Sequence, residues 1–220
     1  MAGKPVAQIW AEVFKFDPKD LSSCYRALGH LNALVDSIDA RIRQLPDLKH
    51  ELYLRDLPVI RNIICQENLQ TNWESVKKPL GEGVLTGLEF CAHELSKHHE
   101  EDEIGPEELA RLKSEFSELV KSVSGADIAS ELKIVLLDLL TSAIIAIDNY
   151  KILGNDGLKK AVAYSVGTLM LHQKEFLGAK EDRIVKRVVT VINSLCSAVT
   201  TAYRMKELGD KVGDLLRLGS

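Results

Sequence analysis

The stretch IVLLDLLTSAIIAIDNYKIL, Ile134 to Leu153, is the most apolar in the chain, and its reading decides the fold. A membrane span, the central helix of a soluble core and a docking face for another helix can all be written this way. A span needs about 20 predominantly apolar residues with few or no charges. Asp138 and Asp148 interrupt this stretch and leave nine uncharged residues between them. Each aspartate at a bilayer centre would cost about 2.5 to 3.5 kcal/mol on insertion scales. The membrane reading that survives is a buried, colicin-like hairpin made with the next helix, and Lys159 and Lys160 load further charge onto its second arm.

Steps of 100° place Glu131, Asp138, Thr141, Ser142, Asp148 and Asn149 in one arc of about a third of the circumference. The remainder is almost wholly Leu, Ile, Val and Ala, more than the apolar stripe of a peripheral helix. Cover is therefore expected from several sides, by the helices starting at Glu107, Leu158 and Asp182 or by another chain. Leu136, Leu137, Leu140, Ile144 and Ile147 are the expected core or interaction positions. Asp138 and Asp148 lie about 15 Å apart along the axis, too far to share one ion.

Outward from this helix the periodicity is helical nearly everywhere. A first helix, about Val6 to Lys15, is expected to pack through Ile9, Val13 and Trp10. A second opens at Asp17-Pro18, carries Leu21, Cys24, Leu28, Leu31, Val35, Ile38, Ile42 and Leu45, and ends before Pro46. Pro58 and Pro79 break the region 47–80, leaving short helices over Val59 to Gln66 and around Thr71 to Lys77. A helix from Gly83 to His98 follows, then one from Glu107 to Val123 with Leu109, Leu112, Phe116, Leu119 and Val123 as its stripe. The apolar helix itself is expected over Ala126 to Leu153, stopped by Gly154-Asn155-Asp156-Gly157, with Asp156 as a cap. Leu158 to Phe176 carries Ala163 and Gly167 four apart, where a neighbouring backbone can come close. A last helix runs from Asp182 to Leu208, with Val185, Val188, Ile192, Leu195, Val199 and Ala202 inward. The expected architecture is an all-α bundle of seven or eight helices in one domain, 1–220, with 1–78 and 79–220 as the alternative division.

Composition bounds the chemistry. A formal charge of -4 on 28 basic and 32 acidic residues leaves no broad positive field, which disfavours general nucleic-acid binding. Cys24, Cys65, Cys91 and Cys196 are too scattered for a metal knuckle or a disulfide framework and read as reduced thiols. MAGKPVAQIWAEVF has no basic region followed by an unbroken apolar run, so the cytoplasm is the expected compartment. Trp10 and Trp73 read as core residues.

The tempting cluster is CAHELSKHHEEDE, Cys91 to Glu103. A helical zinc protease needs its histidines four apart; His93 and His98 are five apart, about 140° around the helix. Cys91 and His98 share a face but stand about 10 Å apart along it. The Arg and His pair of HEPN-type ribonucleases finds Arg26–His30 too close and Arg43–His50 broken by Pro46. Glu115 and Glu118 supply one ExxE pair of a helical nucleotide pyrophosphohydrolase, but the following helix has no matching ExxD. No phosphate-binding loop, nucleophile elbow or dinucleotide fingerprint is written in the chain.

The expectation is a non-enzymatic helical interaction protein, self-associating or bound to another chain, with no cofactor, in the class of immunity, antitoxin or defence-system accessory components. The alternative is a metal-dependent or HEPN-like phosphodiester or nucleotide hydrolase using His93, His98, His99, Glu115 and Glu118. A membrane-inserting helical effector is the third reading.

Overall fold

A computed structural model describes residues 3–66, 68–98 and 102–202. Among these the chain is all-α, with eleven helical segments and no strand beyond one isolated bridge between Pro5 and Asn72. They are α1 (Val6–Phe14), α2 (Leu21–Gln44), α3 (His50–Leu54), α4 (Leu57–Ile64), α5 (Trp73–Val76), α6 (Glu82–Ser96), α7 (Pro106–Ser124), α8 (Ser130–Asp148), α9 (Tyr150–Leu171), α10 (Gln173–Gly178) and α11 (Arg183–Ala202). Eight have eight residues or more; α3, α5 and α10 are short pieces whose few apolar residues give little periodicity to read.

Contacts divide the chain into two compact units, 1–100 and 101–220. In the first, α2 is the axis on which α1, α3, α4 and α6 pack. Its core joins Cys24, Leu28, Val35 and Ile42 of α2 to Val6, Leu54, Leu57, Ile63, Ile64 and Cys91. Because α6 packs on α2 and α3, this unit runs past the 78/79 boundary considered from the sequence. α2 opens three residues later than Asp17-Pro18 suggested. Asp20 is its N-cap, accepting from the Ser23 amide at 3.0 Å and the Ser23 hydroxyl at 2.6 Å, while Asp17 closes a turn on the Lys19 amide. The carboxyl of Asp20 is held below its ordinary range by the Ser23 hydroxyl and amide. In α1 the buried positions are Val6, Ala7 and Ala11, and Val13 faces out. Trp10 is half-buried, stacked on Phe14 and edge-on to Trp73, with ring centroids 5.7 Å apart in both pairs.

The second unit is a four-helix ring in which α7 packs on α8, α8 on α9, α9 on α11 and α11 on α7. Short connections make successive neighbours antiparallel. The pairing of Lys113 in α7 with Asp148 at the end of α8, at 2.5 Å, agrees with this order. Of the six expected stripe residues of α11, Val185, Val188, Ile192, Leu195 and Val199 are buried and the side chain of Ala202 lies outside the described residues; Leu112, Phe116, Leu119 and Val123 of α7 are buried as well. Leu109 is half-buried. Asp182 caps α11 by accepting from the Ile184 and Val185 amides. The expected extension of this helix to Leu208 lies outside the described residues.

Three expectations change. α8 is 19 residues, shorter than Ala126 to Leu153, because Ala126–Ala129 lie in the connection and Asn149 ends the helix with its side chain on the Ile145 carbonyl. The stop is real but sits inside a run of helical turns. Gly154 adopts φ 54°, ψ -153°, a region open to glycine alone, and helix resumes immediately after it. Ala163 and Gly167 face outward, and a Cβ added at Gly167 would meet nothing within 4 Å. The small residues that face the bundle are Ala161 and Ser165, equally four apart.

Candidate interaction surface

The inward face of α8 is covered from within the chain. Leu132, Leu136, Leu139, Leu140, Ala143, Ala146 and Ile147 are buried, and Leu137 and Ile144 are half-buried against the same core. Of the five positions singled out in the sequence, Leu136, Leu140 and Ile147 are thus core residues and Leu137 and Ile144 flank it. The polar arc is also more mixed than its polar members suggest. Ile134 and Ile145 fall inside it, at the same outward angle as Asp138 and Thr141, and are 68% and 38% exposed.

The surface that α8 shares with α9 continues this pattern. Asp138 accepts a short hydrogen bond from the Tyr164 hydroxyl, which ties the two helices side by side. The adjacent carboxylate raises the phenol pKa above its ordinary value, and a hydrogen bond from Thr168 offsets part of the rise. Tyr164 is 44% exposed, Met170 56% and Leu171 85%. Within the second unit every large exposed apolar residue described lies on α8, α9 or α10; α7 and α11 carry none. Isolated apolar residues on a surface are ordinary, whereas a cluster confined to one side of a bundle marks a contact face.

A hydrogen-bonded tie holds one end of this bundle. The Tyr150 hydroxyl donates to Asn155 Oδ1 at 2.7 Å and accepts the Ile104 amide at 2.9 Å. Asn155 Nδ2 donates to the Asp102 carbonyl at 3.0 Å. Asn155 is one of two buried polar residues in the described chain, and the Gly154 kink delivers it. The tie seats Ile104 in the core and forms one wall of a cleft of about 640 Å³ between the start of α7 and α11. Part of its polar lining is occupied internally. Arg111 is committed to Glu108 and Glu115, Thr190 to the Lys186 carbonyl and Ser194 to the Thr190 carbonyl. The guanidinium in turn holds the Glu108 carboxyl below its ordinary range.

The residues proposed for hydrolysis do not come together within either unit. His93 and His98 are exposed at the end of the first unit, His99 lies outside the described residues, and Glu115 and Glu118 belong to α7 of the second. Glu115 is engaged by Arg111. Among the described residues no three His, Cys, Asp or Glu side chains converge as a metal site would require. Cys24, Cys91 and Cys196 are buried and Cys65 is exposed. Burial pushes the three buried thiols up, Cys196 to about 11, away from nucleophilic behaviour near neutral pH.

Among the described residues, the helical stretch long and apolar enough to cross a membrane is Arg183–Thr201 of α11, rather than the Ile134 stretch. The core helix of a soluble protein meets the same criterion, and α11 packs between α7 and α9. Comparison of the chain with protein-family models, with curated proteins and with solved structures found no match.

Proposed function

We propose that the protein works in the cytoplasm as a non-enzymatic helical interaction module, in the class of immunity, antitoxin or defence-system accessory components, with the α8–α9 surface as its contact face. The observation that carries this reading is the confinement of Ile134, Ile145, Tyr164, Met170 and Leu171 to adjoining helices of one bundle, opposite the side that builds the core. Aromatic and aliphatic residues of this kind are enriched at the buried centre of protein interfaces, and the one carboxylate among them, Asp138, is engaged by the Tyr164 hydroxyl.

Light scattering of the protein, alone and after co-purification from its native host, tests the reading. A mass above the monomer, or a stoichiometric companion, is expected, and Ile134→Lys should reduce it while leaving helical content intact. A monomer with no companion would overturn it. A second arm addresses hydrolysis. Alanine at His93, His98, His99, Glu115 and Glu118 together should leave biological activity unchanged. Loss of that activity in a folded variant would put the hydrolase reading in its place.

A further inference from the structure

We infer that residues 102–104 form a strap that closes the end of the second unit and lets go while α7–α11 stay folded, opening the cleft along α11. This device stands apart from the α8–α9 face. The strap has few anchors. It belongs to no helix, Asp102 and Glu103 are exposed, and Ile104 is its one buried side chain. α7 and α8 bury four and seven side chains respectively. Local opening is drawn from segments with few buried apolar contacts. Gly105 is the hinge. It is exposed, and a Cβ added there would meet nothing within 4 Å, so rotation at this residue is unhindered. Pro106, the first residue of α7, is already set in helical φ, and the motion ends there.

The clasp is the pair Tyr150 and Asn155, and it reads only the strap's backbone. The Ile104 amide donates to the Tyr150 hydroxyl, whose own proton goes to Asn155 Oδ1, and Asn155 Nδ2 donates to the Asp102 carbonyl. These bonds form one circuit, so losing any of them loosens the rest. Tyr150 and Asn155 stand on either side of Gly154, and the circuit therefore closes only with the kink in place. A buried amide left unpaired is costly, which keeps the strap shut. Its departure also uncovers Asn155 and Tyr150 to water, so opening orphans neither. The same motion changes the cleft, which Asp102, Glu103 and Ile104 line together with Asn193, Ser197 and Thr201 of α11. With the strap out, this polar groove gains an apolar end, the seat that Ile104 leaves in the core. The strap is the gate of that groove.

Native-state amide exchange of the full chain, followed by NMR across sub-denaturing urea, tests the gate. The Ile104 amide is expected to exchange at least about 100-fold faster than the amides of Leu119 and Leu136, inside α7 and α8. Its rate should stay flat as urea rises, because opening exposes little surface, while theirs should climb. Leu140→Ala should speed the Leu119 and Leu136 amides at least about tenfold. It should leave Ile104 unchanged, since the closed and open strap share the same bundle. Ile104→Ser should strip protection from the strap and keep it on α7 and α8, with helical circular dichroism intact. A strap that moves only with the bundle gives the opposite results. Ile104 would then be as slow as the core, or would follow it in urea and in Leu140→Ala, or Ile104→Ser would strip α7 and α8 of their protection. Any one of these overturns the inference.

Discussion

α7 and α8 are both 19 residues long, lie side by side in one bundle and turn their inner faces into the same core, yet they show solvent different surfaces. The outward stripe of α7 is Glu107, Arg111, Ser114, Glu118 and Lys121. At the same four-three-four-three spacing, that of α8 is Ile134, Asp138, Thr141, Ile145 and Asp148. All ten residues are exposed. The bundle needs only the inward faces, so α7 shows what its own stability asks of an outer stripe, namely charge and short ion pairs such as Arg111–Glu108. The isoleucines of α8, and beside them Tyr164 and Leu171 of α9, exceed that requirement. These apolar residues, which do nothing for the monomer's core, are what the proposed contact face rests on.

The sharpest way to break this comparison is to probe the two faces of α8 separately. Leu140→Ala, on the fully buried face, should cost about 2–5 kcal/mol through lost burial and a residual cavity. Ile134→Ala should stay within about 0.5 kcal/mol in the monomer. Both tryptophans belong to the first unit, so their fluorescence will not report the second. Amide hydrogen exchange along α8 in a urea series is the appropriate measure. Equal costs for the two substitutions would mean that the outward stripe is structural after all.

The next largest effect tests how the end of the bundle is held. Gly154→Ala forces a Cβ into φ 54°, ψ -153° and should destabilise by about 1–3 kcal/mol. It should also release the Ile104 amide, which Tyr150 holds, ahead of the α8 amides. Exchange of Ile104 no faster than in the wild type would show that the kink does not deliver Asn155.

A smaller effect comes from pH. Cys196, buried in α11, ionises at about 11 in the folded protein, against 9 for a free thiol. Below pH 9 both states hold the proton and nothing is lost. Between pH 9 and 11 the unfolded chain releases it first, and stability falls by on the order of 1–2 kcal/mol. Cys196→Ala should flatten that part of the alkaline slope relative to wild type, and parallel slopes would reject the assignment. The smallest effect belongs to the reference helix. Glu118→Ala on the outer stripe of α7 should move exchange stability by less than about 0.5 kcal/mol and leave sedimentation unchanged.

Much of the fold was legible because helical burial follows a 3.6-residue repeat. Leu112, Phe116, Leu119 and Val123 in α7 and Val185 to Val199 in α11 appear in the core as their spacing requires. The proposed contact surface was half-legible. Ile134 and Ile145 already lie on the polar arc of α8 by angle alone, but a stripe defined by its polar members hides apolar residues among them. Helix ends were read less well, since local side-chain bonds set them. Asp20 outcompetes Asp17 because its carboxylate reaches the Ser23 amide. Asn149 closes α8 before the glycine that seemed to stop it.

By itself the sequence determined that this chain is helical and which stripe of each long helix turns inward. These follow from local periodicity and residue chemistry, which need no knowledge of neighbours. Only the tertiary structure decided between two equally spaced small pairs on α9, turning Ala161 and Ser165 to the core and Ala163 and Gly167 to solvent. The reason is that a small residue admits a neighbour from whichever side one arrives, and α8 and α11 arrive on only one side of α9.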